Sequence, residues 1–196
     1  MTRRTKDGLR WGFKTDAEAI TREIRAELGL TMVDRLDPFR LAEHLAVPVA
    51  SLSSFADQPK LVRHFRGKAQ RRFSAVTVFL TATERVILYN DFHQPGRQSA
   101  DITHECAHAL LLHPPRVAFS SGGCRDVDDD CEREAACLGG TLLVPYEAAL
   151  LVVRSNLTLE EAAEKYGVSK PLMRWRIHGS GAKTVMDRAR AKWNRN

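Results

Sequence analysis

The sequence predicts an α+β fold: a small antiparallel sheet, two central helices and a helical C-terminal extension. Three observations carry this. Apolar residues recur at helical spacing near the N-terminus. Two short runs rich in β-branched and aromatic residues lie mid-chain, joined by a polar link. From residue 97 onward, helical signals dominate and are punctuated by proline. A chain of 196 residues, 43% hydrophobic and 28% charged, can bury a substantial core, and it shows no internal repeat or low-complexity tract. A weak boundary near Ser155 divides it into a domain over 1–154 and a helical extension over 155–196.

Over residues 16–28, Ala17, Ile20, Ile24 and Leu28 share one helical face and Gly29 supplies a stop, so an amphipathic helix is expected. A second helix is expected over 38–45, and 47–52 reads as a short strand opened by a proline. The runs 73–80 and 84–89, linked through Thr81, Ala82 and Thr83, predict a β-hairpin. Residues 90–96 are polar, with Pro95 and Gly96 as turn punctuation, and lead into a helix over 97–113 closed by Pro114 and Pro115. A Gly/Asp-rich loop over 120–130 precedes a helix over 131–144, which Pro145 breaks or kinks.

No stretch approaches the ~20 consecutive apolar residues of a membrane span, and the first six residues lack the apolar segment of a signal peptide. A cytoplasmic location without membrane contact is therefore expected. Cys106, Cys124, Cys131 and Cys137 form no CxxC pair, and without an export signal reduced thiols are expected. The net charge of +6 permits contact with nucleic acid or an acidic partner without requiring it. The basic residues are densest over 63–72 and 174–195, where a solvated surface accounts for them.

The chemistry-bearing pattern is His104-Glu105-Cys106-Ala107-His108, an HExxH run within the helix expected over 97–113. Four residues apart, the two imidazoles leave one helical face about one turn apart and can share an ion. A metallopeptidase holds Zn2+ with neutral imidazoles or carboxylates, keeps a coordination position open, and places a base beside the attacking water. Glu105 suits that base, taking the water's proton and passing it to the leaving amine. Cys106 and Ala107 are small, while Ala109, Leu110, Leu111 and Leu112 supply apolar surface for a buried helix. The bland alternative, two core histidines with a surface glutamate, leaves Glu105 beside an apolar run unexplained. The expected core is thus zincin-like, with an HExxH active-site helix and a second helix bringing a glutamate ligand.

That third ligand comes from Glu132 or Glu134. Two residues apart, they diverge by about 200° around a helix, so helix phase decides between them. Glu132 shares its face with Ala135, Ala136 and Gly139, small residues that allow close helix approach, and is preferred on that ground.

Residues 97–113 (RQSADITHECAHALLLH) followed by 132–145 (EREAACLGGTLLVP) resemble the ImmA/IrrE family of bacterial metallopeptidases. In that family the second helix reads Glu-x-x-x-Asn or Asp and ends in Leu-Leu-Met-Pro, and counting back from Pro145 places the ligand on Glu132. Two departures stand out: Ala136 occupies the Asn/Asp position, removing a polar neighbour for a histidine ligand, and Val144 replaces Met. The resemblance implies a zinc endopeptidase with His104, His108 and Glu132 as ligands and Glu105 as base. It also implies a protein substrate of the phage-type or stress repressor class. With little chain before Asp16, that regulator is expected to be a separate polypeptide. Arg97, Tyr146 and His178 are candidates by residue type for stabilising the oxyanion. His113, about 140° around the helix from His108, is expected to be supporting or structural.

Thr158 and Glu161 form a capping-box pattern opening a short helix that ends near Gly167, and Ser169 caps the next. The pair resembles a helix-turn-helix. Family members commonly pack such a segment on the catalytic core, and Leu172, Trp175 and Ile177 are the expected anchors, so direct DNA binding is the lesser expectation. The rival to the peptidase reading is a regulator, or a toxin-antitoxin component, that keeps the zinc fold and acts by binding alone. An intact Glu105 argues against it, because a binding module has no chemical use for a base there.

Overall fold

The computed structural model describes residues 3–55, 57, 59–66, 73–81, 84–114, 129–155 and 157–193. The elements in chain order are α1 (Phe13–Glu27), α2 (Pro38–His44), β1 (Val49–Ser51), α3 (Pro59–Arg66), β2 (Ala75–Phe79), β3 (Arg85–Tyr89), α4 (Pro95–Leu110), α5 (Asp129–Leu143), α6 (Tyr146–Arg154), α7 (Leu159–Tyr166), α8 (Lys170–Gly179) and α9 (Ala182–Trp193). Helix α3 was not expected from sequence, and most of the loop expected over 120–130 lies outside the described residues.

The expected hairpin forms, with Thr77 opposite Ile87 in an antiparallel ladder. The sheet is mixed rather than wholly antiparallel: β1 joins β3 in parallel, giving the order β1-β3-β2. The connection from β1 passes through α3 before the chain returns, which is the longer crossover a parallel pair requires. β3 is therefore the central strand. Both edges of β3 are taken, so residues 84–89 leave no pairing edge for an extended substrate. The edge beside the helices belongs to β2. Asn90 N–H donates to Ser74 O and Leu80 N–H to Glu84 O, so the alternate residues Ala75, Thr77 and Phe79 turn their backbone groups away from β3.

Helices α4 and α5 pack side by side at the centre, with α1 across α5, α2 against α4, and α8 and α9 on α6. Their approach is close because Gly139 has no side chain: a Cβ there would lie 3.2 Å from His104 Cα. Ile102, Cys106, Ala107, Ala135, Leu138 and Leu142 form the buried seam. Pro145 ends α5 and opens α6 across a 53° bend. No single helix among the described residues is long and apolar enough to cross a membrane.

Two buried arginines serve the carbonyls at the C-terminal end of α5 that have no partner within the helix, where the helix dipole is negative. Arg25 of α1 donates to Leu142 O at 3.1 Å, Arg176 of α8 to Val144 O at 2.7 Å. Arg176 also donates to Glu18 Oε1 at 2.9 Å, and Glu18 in turn accepts from the Tyr146 N–H that opens α6. One side chain thus joins α1, α5, α6 and α8. The helix-turn-helix-like segment packs closely on α4 and α5: a Cβ on Gly96, at the start of α4, would meet the Val168 backbone at 2.6 Å, and one on Gly140 would meet Trp175 at 2.5 Å. Of the expected anchors, Trp175 seats on Gly140 while remaining half exposed, and Leu172 and Ile177 are half-buried; the buried residues of α8 are Met173 and Arg176.

Cys106 and Cys137 are buried thiols. Burial, reinforced by the nearby Glu105 carboxylate, pushes the Cys106 thiol up to about 12, and burial raises Cys137 as well. Native protein at mildly alkaline pH is therefore expected to leave both unmodified by iodoacetamide, with alkylation following only in denaturant. Peptide mass spectrometry checks this; rapid native labelling of Cys106 would show that the α4–α5 seam opens.

Candidate metal centre

Helix α4 carries both histidines on the face opposite its core residues Ile102 and Cys106, and α5 meets that face with its first turns. The structure brings His104, His108 and Glu132 together. His104 Nε2 and His108 Nε2 are 3.1 Å apart, and the Glu132 carboxylate oxygens stand 3.3 Å from His104 Nε2 and 3.2 Å from His108 Nε2. Three donor atoms bonded at about 2.0–2.1 Å to one tetrahedral ion are spaced by roughly 3.3–3.4 Å. The observed separations of 3.1–3.3 Å, with a different Glu132 oxygen toward each imidazole, come close to that spacing, and two imidazoles with a carboxylate are a donor set suited to catalytic zinc. Helix phase also separates the two glutamates: Glu134 turns away, toward His113 Nε2 at 3.7 Å and Arg10 Nε at 3.3 Å.

The triangle opens onto a cleft of about 370 Å³. Its walls are Ser74 and Ala75 at the start of β2, α4 through Ala100, Asp101 and Glu105, α5 through Ala136 and Gly139, and α8 through Leu172. Ala136, four residues after Glu132, lies exposed in this cleft, so the departure from Asn or Asp falls beside the His104–His108–Glu132 triangle. Burial holds the Asp101 carboxyl above its usual range, opposed by a hydrogen bond from His93 and the charge of Arg97.

The Glu105 carboxylate is held from the sheet. Its Oε2 accepts from Thr77 Oγ1 at 2.7 Å and from the Thr77 backbone N–H at 3.0 Å. That N–H is available because the ladder leaves alternate β2 amides facing α4. Nothing in the sequence singled out Thr77, which precedes Glu105 by 28 residues and is paired with it only by packing. Of the oxyanion candidates, Arg97 donates to Ser74 Oγ at 2.7 Å near the cleft mouth, and none of Arg97, Tyr146 and His178 lines the cleft among the described residues.

A family model, Peptidase_M78 (IrrE N-terminal-like domain), matches residues 42–178, more than half of the chain. The chain belongs to the Peptidase_M78 family. Searches of curated proteins and of solved structures return no match. Peptidase_M78 membership supports a zinc metallopeptidase kind of function, in agreement with the histidine and carboxylate donors. The M78 match spans the sheet, the HExxH helix, α5 and both helices of the C-terminal pair, while the N-terminal turn and α1 lie outside it.

Proposed function

We propose that this chain is a zinc-dependent endopeptidase that hydrolyses a peptide bond in a protein substrate. The observation that carries this is the His104–His108–Glu132 triangle, spaced for a tetrahedral ion and open to a cleft where Glu105 is already oriented. His104, His108 and Glu132 hold the ion. Zinc there supplies Lewis acidity, polarising the scissile carbonyl and acidifying the attacking water. Glu105 takes the proton of that water and returns it to the leaving amine; the two Thr77 donors keep its Oε2 fixed and leave Oε1 for the proton. The small residues Ala75, Ala100, Ala136 and Gly139 leave room for a main chain to approach the ion.

The substrate we assign is a separate repressor-type transcription regulator, the class implied by the ImmA/IrrE resemblance. The docking of α7 and α8 on the catalytic helices through Gly96 and Gly140 supports a structural role for that segment over DNA reading. Purification without chelator is expected to yield about one equivalent of zinc per chain, as a single three-ligand site requires. Incubation with a repressor-type regulator encoded nearby is expected to give a discrete cleavage. Less than about a tenth of an equivalent would remove the basis of the reading.

A further inference from the structure

Behind His108 a second set of side chains runs away from the cleft. His108 Nδ1 lies 2.8 Å from His113 Nδ1, and His113 Nε2 lies 3.7 Å from Glu134 Oε2. The His113 side chain is 9% exposed. Its position results from the way α4 ends. Leu112 N–H donates to Ala109 O and His113 N–H to His108 O, a Schellman ending that reverses the chain and returns His113 beneath His108. That ending needs a left-handed residue, and the chain places Leu112 there, at φ 52° and 85% exposed. Glycine is the residue that adopts this conformation freely. The leucine held there gains no burial to offset that conformation, and the turn it makes is what brings His113 to His108.

We propose, on the basis of the zinc reading above, that His113 and Glu134 form a positioning relay that sets the tautomer and ring orientation of the ligand His108. Two facing Nδ1 atoms need one donor and one acceptor. To offer its Nε2 lone pair to a metal, neutral His108 carries its proton on Nδ1 and donates it to His113 Nδ1. His113 then carries its own proton on Nε2, facing the Glu134 carboxylate. At 3.7 Å Glu134 acts on this proton by its charge rather than by a hydrogen bond and so favours that His113 tautomer, and His113 selects that of His108; the opposite His113 tautomer would set two N–H groups against each other. Ring partners of this kind hold metal-binding imidazoles in place. Glu132 and Glu134, two residues apart on α5, thus have separate duties, one toward the ion and one toward the histidine behind it.

The test is zinc affinity of the full chain, measured by chelator competition, with thermal unfolding in EDTA confirming that each variant is folded. His113→Phe fills the same space without nitrogen and is expected to bind zinc roughly 10–100-fold more weakly. His113→Asn, whose amide oxygen replaces the Nδ1 acceptor, is expected to recover most of that loss. Glu134→Ala is expected to weaken binding several-fold, and long-range 1H–15N correlation spectra to show His113 losing its single Nε2–H tautomer. If His113→Phe does not fold, Glu134→Ala decides. Wild-type affinity in the folded variants overturns the relay and leaves the zinc reading standing, whereas failure of wild type to bind zinc overturns both.

Discussion

Glu105→Gln is expected to lower peptide hydrolysis by about 10²–10⁴-fold, the contribution of a positioned general base, while zinc content stays at the wild-type level. Zinc content is preserved because Glu105 lies outside the triangle of His104, His108 and Glu132. The fold is preserved because the amide oxygen of Gln accepts the same two hydrogen bonds from Thr77 Oγ1 and N–H. What disappears is a basic oxygen able to take a proton. The measurement pairs metal analysis of the purified variant with a time course of regulator cleavage. Wild-type cleavage by this variant would make a peptidase mechanism through Glu105 untenable. An in vivo effect that survives the substitution would point to a protein acting by binding alone.

The second large effect is on stability. Arg176→Leu is expected to destabilise the folded chain by about 3 kcal/mol, the lower end of the range for removing one partner of a buried ion pair, because Glu18 keeps partial access to water. The substitution removes the donor to Val144 O at the end of α5 and leaves the Glu18 carboxylate with the Tyr146 N–H. For a chain of this length the loss corresponds to a fall in midpoint of roughly 6–12 °C. Arg176→Lys is expected to recover little, since a single ammonium cannot reproduce the fork that reaches Val144 O through Nε and Glu18 through a terminal nitrogen. Thermal unfolding by circular dichroism checks both. A midpoint for Arg176→Leu within about 2 °C of wild type would show that the junction of α1, α5 and α8 does not depend on this side chain.

These two residues lie at opposite ends of what the sequence makes readable. Glu105 is legible because its signal is local: HExxH places two imidazoles and a carboxylate on one helix, and helical geometry then sets their spacing whatever surrounds them. The capping box at Thr158 and Glu161, the Gly29 stop and the β2–β3 hairpin are legible for the same reason, each being a short pattern acting within a few residues. Arg176 reads from sequence as one of several basic residues near the C-terminus, part of a solvated surface. Its burial follows from carbonyls on α5 that lie 32 residues away in the chain.

The HExxH spacing by itself determined where the metal-binding face of α4 would lie, and the small residues of α5 determined which helix could come close to it. Tertiary structure alone decided how those parts meet. It turned Glu134 to His113, away from the face on which the small residues had already marked Glu132. It made β3 the central strand, which passed the free edge to β2 and gave Glu105 its partner Thr77. It also ended α4 at Leu110 rather than His113, so the angle expected for His113 on a continued helix gave way to a reversed chain beneath His108. The physical reason is common to all three. Helix phase, strand order and chain reversal are settled by packing between segments distant in sequence, which short-range periodicity does not encode.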